Sequence, residues 1–128
     1  MNYLLLTTAA ASTALLAAAQ PPACQSVRTG TFEMVAPGGL RTRITRTATR
    51  QTELVATSTQ PTSYQVKWLD DCTYELFPEA SFFAKYPAAP RTVRLKVHIT
   101  NVHAQGYTIE ASSNFFPDIL RGEATRVP

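Results

Sequence analysis

The chain has 128 residues, of which 45% are hydrophobic and 16% charged, with 12 Lys+Arg against 9 Asp+Glu, nine prolines and two cysteines. That length supports one globular domain and excludes multidomain enzymes, large cofactor-binding folds and polytopic membrane proteins. All of the charge, a net of +3, lies beyond residue 19.

Residues 1–19 hold no charged side chain and include seven Ala and five Leu. Ala17 and Ala19 supply the small side chains that signal peptidase needs at its −3 and −1 positions. The pattern predicts a signal peptide over 1–19 and a single β-barrel domain over 20–128, placed in the periplasm or outside the cell. As a membrane anchor the run is at the short limit, and its Ala, Ser and Thr content makes it weakly apolar. No stable transmembrane span is expected after cleavage. The alternative is a lipoprotein anchored through Cys24, for which Pro21-Pro22-Ala23 is a poor preceding sequence.

Export brings an oxidising compartment, and only Cys24 and Cys72 are present, so a Cys24–Cys72 disulfide is expected. A metal site is not, because His98 and His103 are remote from both cysteines and no CxxC or HxxxH spacing occurs.

Beyond residue 27, apolar and polar residues alternate with period 2. Gly30, Phe32 and Met34 alternate with Thr31 and Glu33, and Pro37-Gly38-Gly39 then forms a turn. Leu40–Ala48 and Gln51–Ala56 read as two strands rich in Thr and Arg. Residues 58–63 read as a loop. Tyr64, Val66 and Trp68 share one strand face, Asp70-Asp71 turns the chain, and Cys72, Tyr74 and Leu76 return. Pro78–Pro90, with Phe82, Phe83 and Tyr86, predicts a helical turn or a covering lid. Val93, Leu95, Val97 and Ile99 form the clearest apolar face. Residues 101–106 link it to Tyr107, Ile109 and Ala111, with Gly106 able to take positive φ. Ile119–Val127 is a last, weaker strand. About eight short strands in consecutive hairpins predict an all-β antiparallel meander, closed into a small barrel, with a β-sandwich as the alternative.

Several of these pieces also carry a resemblance. Thr29-Gly30-Thr31-Phe32, Ile44-Thr45-Arg46, Gln51-Thr52-Glu53, the run Tyr64–Leu76 with Trp68-Leu69-Asp70-Asp71-Cys72-Thr73-Tyr74-Glu75-Leu76 at its heart, Val97–Thr100 and Gly106-Tyr107-Thr108-Ile109 are similar to a group of small exported proteins of Bacteroidota-type bacteria. Some of these carry a topoisomerase-type name, although a 109-residue exported domain has no room for such an enzyme. The resemblance implies a lipocalin-like meander. The Pro-rich 78–90 and Phe115-Phe116-Pro117 depart from its pattern.

No nucleophile elbow, phosphate loop or zinc-protease helix occurs, so neither catalysis nor a cofactor is expected. His98 falls on the polar face of its strand and His103 in a turn. The cluster Arg41, Arg43, Arg46 and Arg50 is interleaved with Thr rather than exposed aromatics, which argues against nucleic acid. Arg41 and Arg43 share one strand face and Arg46 takes the other. If that other face is the interior, Arg46 must meet Glu53, Glu75 or a bound anion. Arg46, Ala48, Arg50 and Leu54 share a parity if the chain stays extended, which would turn Leu54 inward. Arg46, Tyr64 and Trp68 are the candidate ligand-binding residues. The expected function is a small binding barrel for an anionic or apolar molecule, monomeric, with a small or absent cavity; a cavity lined by Phe32, Trp68 and Leu95 would favour this reading. The alternative is an envelope module that binds protein or polysaccharide through its surface.

Overall fold

In the computed structural model, residues 23–128 are described; the expected signal peptide, residues 1–19, lies outside them. A short 3-10 turn, Cys24–Val27, leads into eight strands. These are β1 (Gly30–Val35), β2 (Arg41–Arg46), β3 (Arg50–Val55), β4 (Thr62–Trp68), β5 (Thr73–Pro78), β6 (Leu95–His103), β7 (Gly106–Ser113) and β8 (Leu120–Arg126), with one helix, α1 (Ala80–Lys85), between β5 and β6. Each strand pairs antiparallel with the next, and β8 pairs with β1. The fold is therefore a closed eight-stranded meander barrel, not a sandwich. Closure pairs every strand on both sides and removes free sheet edges.

The alternation read from the sequence sets the inner face. Phe32, Ile44, Tyr64, Tyr74, Leu76, Val97, Ile99, Tyr107 and Ala124 are all buried. Val66, Trp68, Met34, Leu95, Ile109 and Ala111 are partly buried and pack against them. Trp68 faces inward as expected but is only half-buried, because it lies at the end of β4, with its ring against Tyr74 and beneath the Arg28 guanidinium.

β6 runs to His103, through most of the predicted linker, with a register shift between Ile99 and Asn101. Gly106 does not take positive φ. Its role is close approach: a Cβ there would lie 1.9 Å from the Ala124 carbonyl oxygen. Gly38 and Gly39 do adopt positive φ, at 96° and 90°, in the β1–β2 turn, where a side chain would be strained.

The connections divide the barrel into two ends. At one end the loops are short, residues 47–49, 69–72 and 104–105, and the Cys24–Val27 turn lies across it. The other end carries residues 36–40, 56–61, 79–94 and 114–119. There α1 packs on β4 and β5, with Phe82 buried against Tyr64 at 5.9 Å, so the expected cover over 78–90 is present. The Cys24–Cys72 disulfide ties the 3-10 turn to the start of β5, with Cα atoms 5.3 Å apart. It closes a loop of 48 residues, worth about 4 kcal/mol in the chain-entropy picture. Such a bond belongs to an oxidising compartment. Among the described residues, no helix is long and apolar enough to cross a membrane.

Candidate functional site

Arg46 ends β2 and points into the barrel, where it is 1% exposed. Tyr74, Tyr107 and Phe32 surround its guanidinium, with ring centroids at 4.9, 5.5 and 5.3 Å. Nε donates to the Arg28 carbonyl at 2.9 Å, and Nη2 donates to the Val27 carbonyl at 2.7 Å and the Tyr107 hydroxyl at 2.9 Å. Nη1 donates to Gln51 Oε1 at 2.9 Å and the Tyr74 hydroxyl at 3.1 Å. A guanidinium has five N–H donors, and all five are used. The inward placement is the case the sequence left conditional; the partners are not those it named. Every acceptor is a neutral oxygen, and among the described residues no carboxylate lies within ion-pair distance of Arg46. Glu75 sits in β5 between Lys67 and Lys96 of the flanking strands. The aromatic faces and peptide carbonyls replace water around the charge, so no anion is needed to complete the shell.

The Thr47 amide donates to the Arg50 carbonyl at 2.9 Å, and the tight turn it closes pairs Arg46 with Gln51 and Ile44 with Glu53. Because inward-facing Arg46 is opposite Gln51, the odd positions of β3 take the inner face. Leu54 is thus turned outward and is 39% exposed, opposite to the expectation from unbroken parity. Glu53 takes the inner place. Gln51 bridges the two charged groups, donating from Nε2 to Glu53 Oε1 at 2.9 Å while its own oxygen accepts from Arg46. Burial pushes the Glu53 carboxyl above the ordinary carboxylate range; the hydrogen bond from Gln51 and the positive charges of Lys85 and Arg46 oppose this shift without cancelling it. Burial also pushes the Tyr64 and Tyr74 hydroxyls up, with the Glu53 charge adding to it in both and Arg46 opposing it at Tyr74.

Past this polar layer lies a cavity of about 210 Å³. Its floor is Gln51, Glu53, Tyr74 and Tyr107, its wall is Ile44, Leu76, Leu95, Val97, Ile109 and Ala111, and its mouth is Met34, Leu120, Arg121 and Gly122. Of the three residues whose lining would favour a binding barrel, Leu95 lines it and Phe32 and Trp68 do not. Phe32 is fully buried beneath the Arg46 layer, edge-on to Tyr107 at 5.0 Å. Tyr64 packs on α1 instead. Of the three candidates, then, Arg46 underlies the cavity floor, while Tyr64 and Trp68 lie outside the lining. Glu53, which lines the cavity, was named from the sequence only as a partner for Arg46 and not as a lining residue; its inward place follows from the even register of the β2–β3 hairpin.

The remaining titratable groups have structural neighbours. His98 lies on the outer face, with Nδ1 3.0 Å from Thr73 Oγ1. His103 contacts Glu123 at 3.2 Å. Asp70 accepts from the Cys72 amide at 2.9 Å, which forms the turn read from the sequence and holds its carboxyl below the usual range. Arg41 pairs with Glu33, and Arg50 with Glu79. Among the described residues no cluster of His, Cys, Asp or Glu could hold a metal ion. No family model, curated protein or solved structure matches the chain.

Proposed function

We propose that this is an exported, monomeric, lipocalin-like barrel that holds one small, mainly apolar molecule inside. The observation that carries the reading is the 210 Å³ cavity with an apolar wall. Protein interiors are otherwise close-packed, and a dry cavity of about 150 Å³ suffices for benzene. The volume falls below the roughly 300–1,000 Å³ of sites for drug-sized ligands, so the occupant is about the size of a single ring. Export is supported by the uncharged, Ala- and Leu-rich first 19 residues and by the disulfide. The resemblance of Trp68–Leu76 to small exported proteins supports the same placement.

The experiment is titration with toluene, followed by methyl NMR. Leu95, Ile109 and Leu76 methyls shift on binding, and Ala111→Leu, which fills the lining, abolishes the shift. Absence of any shift in the wild-type chain overturns the reading. Mass spectrometry of protein from its native envelope then gives the mature N-terminus, any lipid on Cys24 and any co-purifying molecule.

A second reading, an interaction module, is favoured by the long-loop end. Val35, Leu40, Leu54, Tyr86, Phe116, Ile119 and Leu120 are all exposed there, and exposed apolar side chains concentrated at one end are what a contact site would use. A partner captured by wild type and lost on Ile119→Gln, with Ala111→Leu unaffected, would favour it.

A further inference from the structure

We infer that the cavity selects a neutral ring-sized molecule bearing one hydroxyl or N–H, which donates its hydrogen bond to Glu53. This deepens the cavity-binding reading above and rests on it. Glu53 Oε1 is taken by Gln51. Oε2 accepts no hydrogen bond from the described residues, and the carboxyl is part of the cavity lining. An ionised carboxylate has about four lone-pair sites and only accepts, so it offers an unfilled acceptor in an otherwise apolar space. A ligand donor that meets this oxygen gains a charge-assisted hydrogen bond while its frame leaves water.

Charge decides the class of donor. Arg46 is joined to Glu53 through Gln51, and the positive charge of Lys85 on α1 also acts on it. Two cations therefore share one carboxylate, and a third on the ligand would be repelled without a free counter-ion. An anionic ligand fails for the opposite reason. All five Arg46 donors are committed to neutral oxygens, so a second carboxylate would meet Glu53 with no donor to receive it. A neutral donor is left. The wall of Ile44, Leu76, Leu95, Val97 and Ile109 covers its carbon frame. A ligand with a donor but no apolar frame would forfeit that burial.

The test is calorimetric titration of the disulfide-intact chain with phenol, anisole, toluene, benzylamine and benzoate, repeated from neutral to mildly alkaline pH so that the contrast among probes does not rest on one protonation state of Glu53. Phenol binds on the order of tenfold more tightly than anisole or toluene, the ratio a single net hydrogen bond of about 1.4 kcal/mol gives. Benzylamine binds more weakly than phenol, and benzoate does not bind. Glu53→Leu removes the acceptor and brings toluene level with or above phenol. Equal affinities for phenol, anisole and toluene in the wild type overturn the selection by Glu53 while leaving the cavity reading standing. Benzylamine as the tightest probe, or measurable benzoate binding, overturns the neutral class. Failure of all five probes overturns the cavity reading and this inference together. Since the comparison among probes is made on the wild type, it holds whether or not Glu53→Leu folds.

Discussion

One end of the barrel is knitted and the other is open. At the tight-turn end, three loops of two to four residues, a 3-10 turn and a disulfide converge on one guanidinium. Phe32, Arg46, Gln51, Tyr107 and Ala124 there are at most 2% exposed. At the long-loop end, connections of five to sixteen residues surround a mouth where Ile119 and Leu120 are 55% exposed. Among the described residues, every exposed large hydrophobic except Leu69 lies at that end. Strand pairing is continuous across both, so the barrel wall itself is the same. What differs is how the inner space is filled. The first end is filled by a long cation and aromatic rings whose polar atoms are all partnered. The second is left with space and one acceptor. Burial and hydrogen bonding around Arg46 are concentrated where the loops are short, while the open end carries the larger loops, the kind of segment on which binding residues often sit.

The largest expected effect comes from the knot. Arg46→Met keeps an apolar side chain of similar length but removes five donors at once. Two peptide carbonyls, the Gln51 oxygen and two phenolic oxygens lose a partner in a dry interior, at about 1–3 kcal/mol for each that water cannot reach. A loss of at least about 4 kcal/mol in denaturant unfolding is expected, against less than about 0.5 kcal/mol for exposed Arg41→Ala. Equal effects of the two would dissolve the distinction between the ends. Cys24→Ser follows. It frees the 3-10 turn that supplies the Val27 and Arg28 carbonyls, and costs about 2–4 kcal/mol. Tyr107→Phe removes one hydroxyl from the Arg46 shell and costs about 1–3 kcal/mol.

Much of the wall and of the knot was legible in the sequence, and the reason is period 2. The alternation in Tyr64–Trp68, Leu95–Ile99 and Tyr107–Ala111 is a direct imprint of one buried face. The disulfide followed from having two cysteines. Parity put Arg46 on the face opposite Arg41 and Arg43, but a solvated edge fitted the same Thr- and Arg-rich stretch, and only barrel closure makes that face the interior. What failed was parity carried across a turn. The two-residue turn Ala48-Thr49 sets Arg46 opposite Gln51, so even positions of β2 face odd positions of β3, and Leu54 and Glu53 exchange faces. A turn's length is hard to read in a stretch of Thr, Arg and Ala with no Gly or Pro to mark it. The cavity was invisible for a different reason: it is a property of how eight strands close, not of any one of them. Trp68 was placed on the right face at the wrong depth, since alternation says which way a side chain points and not how near the barrel end it lies.

Glu53 sharpens the comparison through pH. Its folded pKa is raised, so the folded chain holds that proton more tightly than the unfolded one. Its contribution is fully present below the ordinary glutamate value of 4.5 and is lost as pH rises through the raised folded value. Glu53→Gln keeps an oxygen for Gln51 and has no charge to desolvate. The variant is therefore more stable than wild type at neutral and alkaline pH, and the two converge on acidification through that window. Thermal unfolding of both chains across pH measures it. A constant difference at every pH would show that Glu53 carries no buried charge.

The smallest effect is expected at the rim. Ile119 and Val35 are each 55% exposed, so replacing them by Gln loses little of the burial that stabilises a core residue. Ile119 precedes β8, and Val35 is the last residue of β1, which leaves the ladder of the barrel intact on substitution. Each change should alter unfolding free energy by less than about 0.5 kcal/mol, an order below Arg46→Met. The outcome that matters is the contrast with ligand behaviour. If the long-loop end is the way into the cavity, rim variants change the rate at which toluene enters and leaves while the equilibrium affinity stays within about twofold, because neither residue lines the cavity. Exchange NMR separates rate from affinity. Rim variants that cost as much stability as changes in the Arg46 shell would mean that the open end is packed like the knotted one.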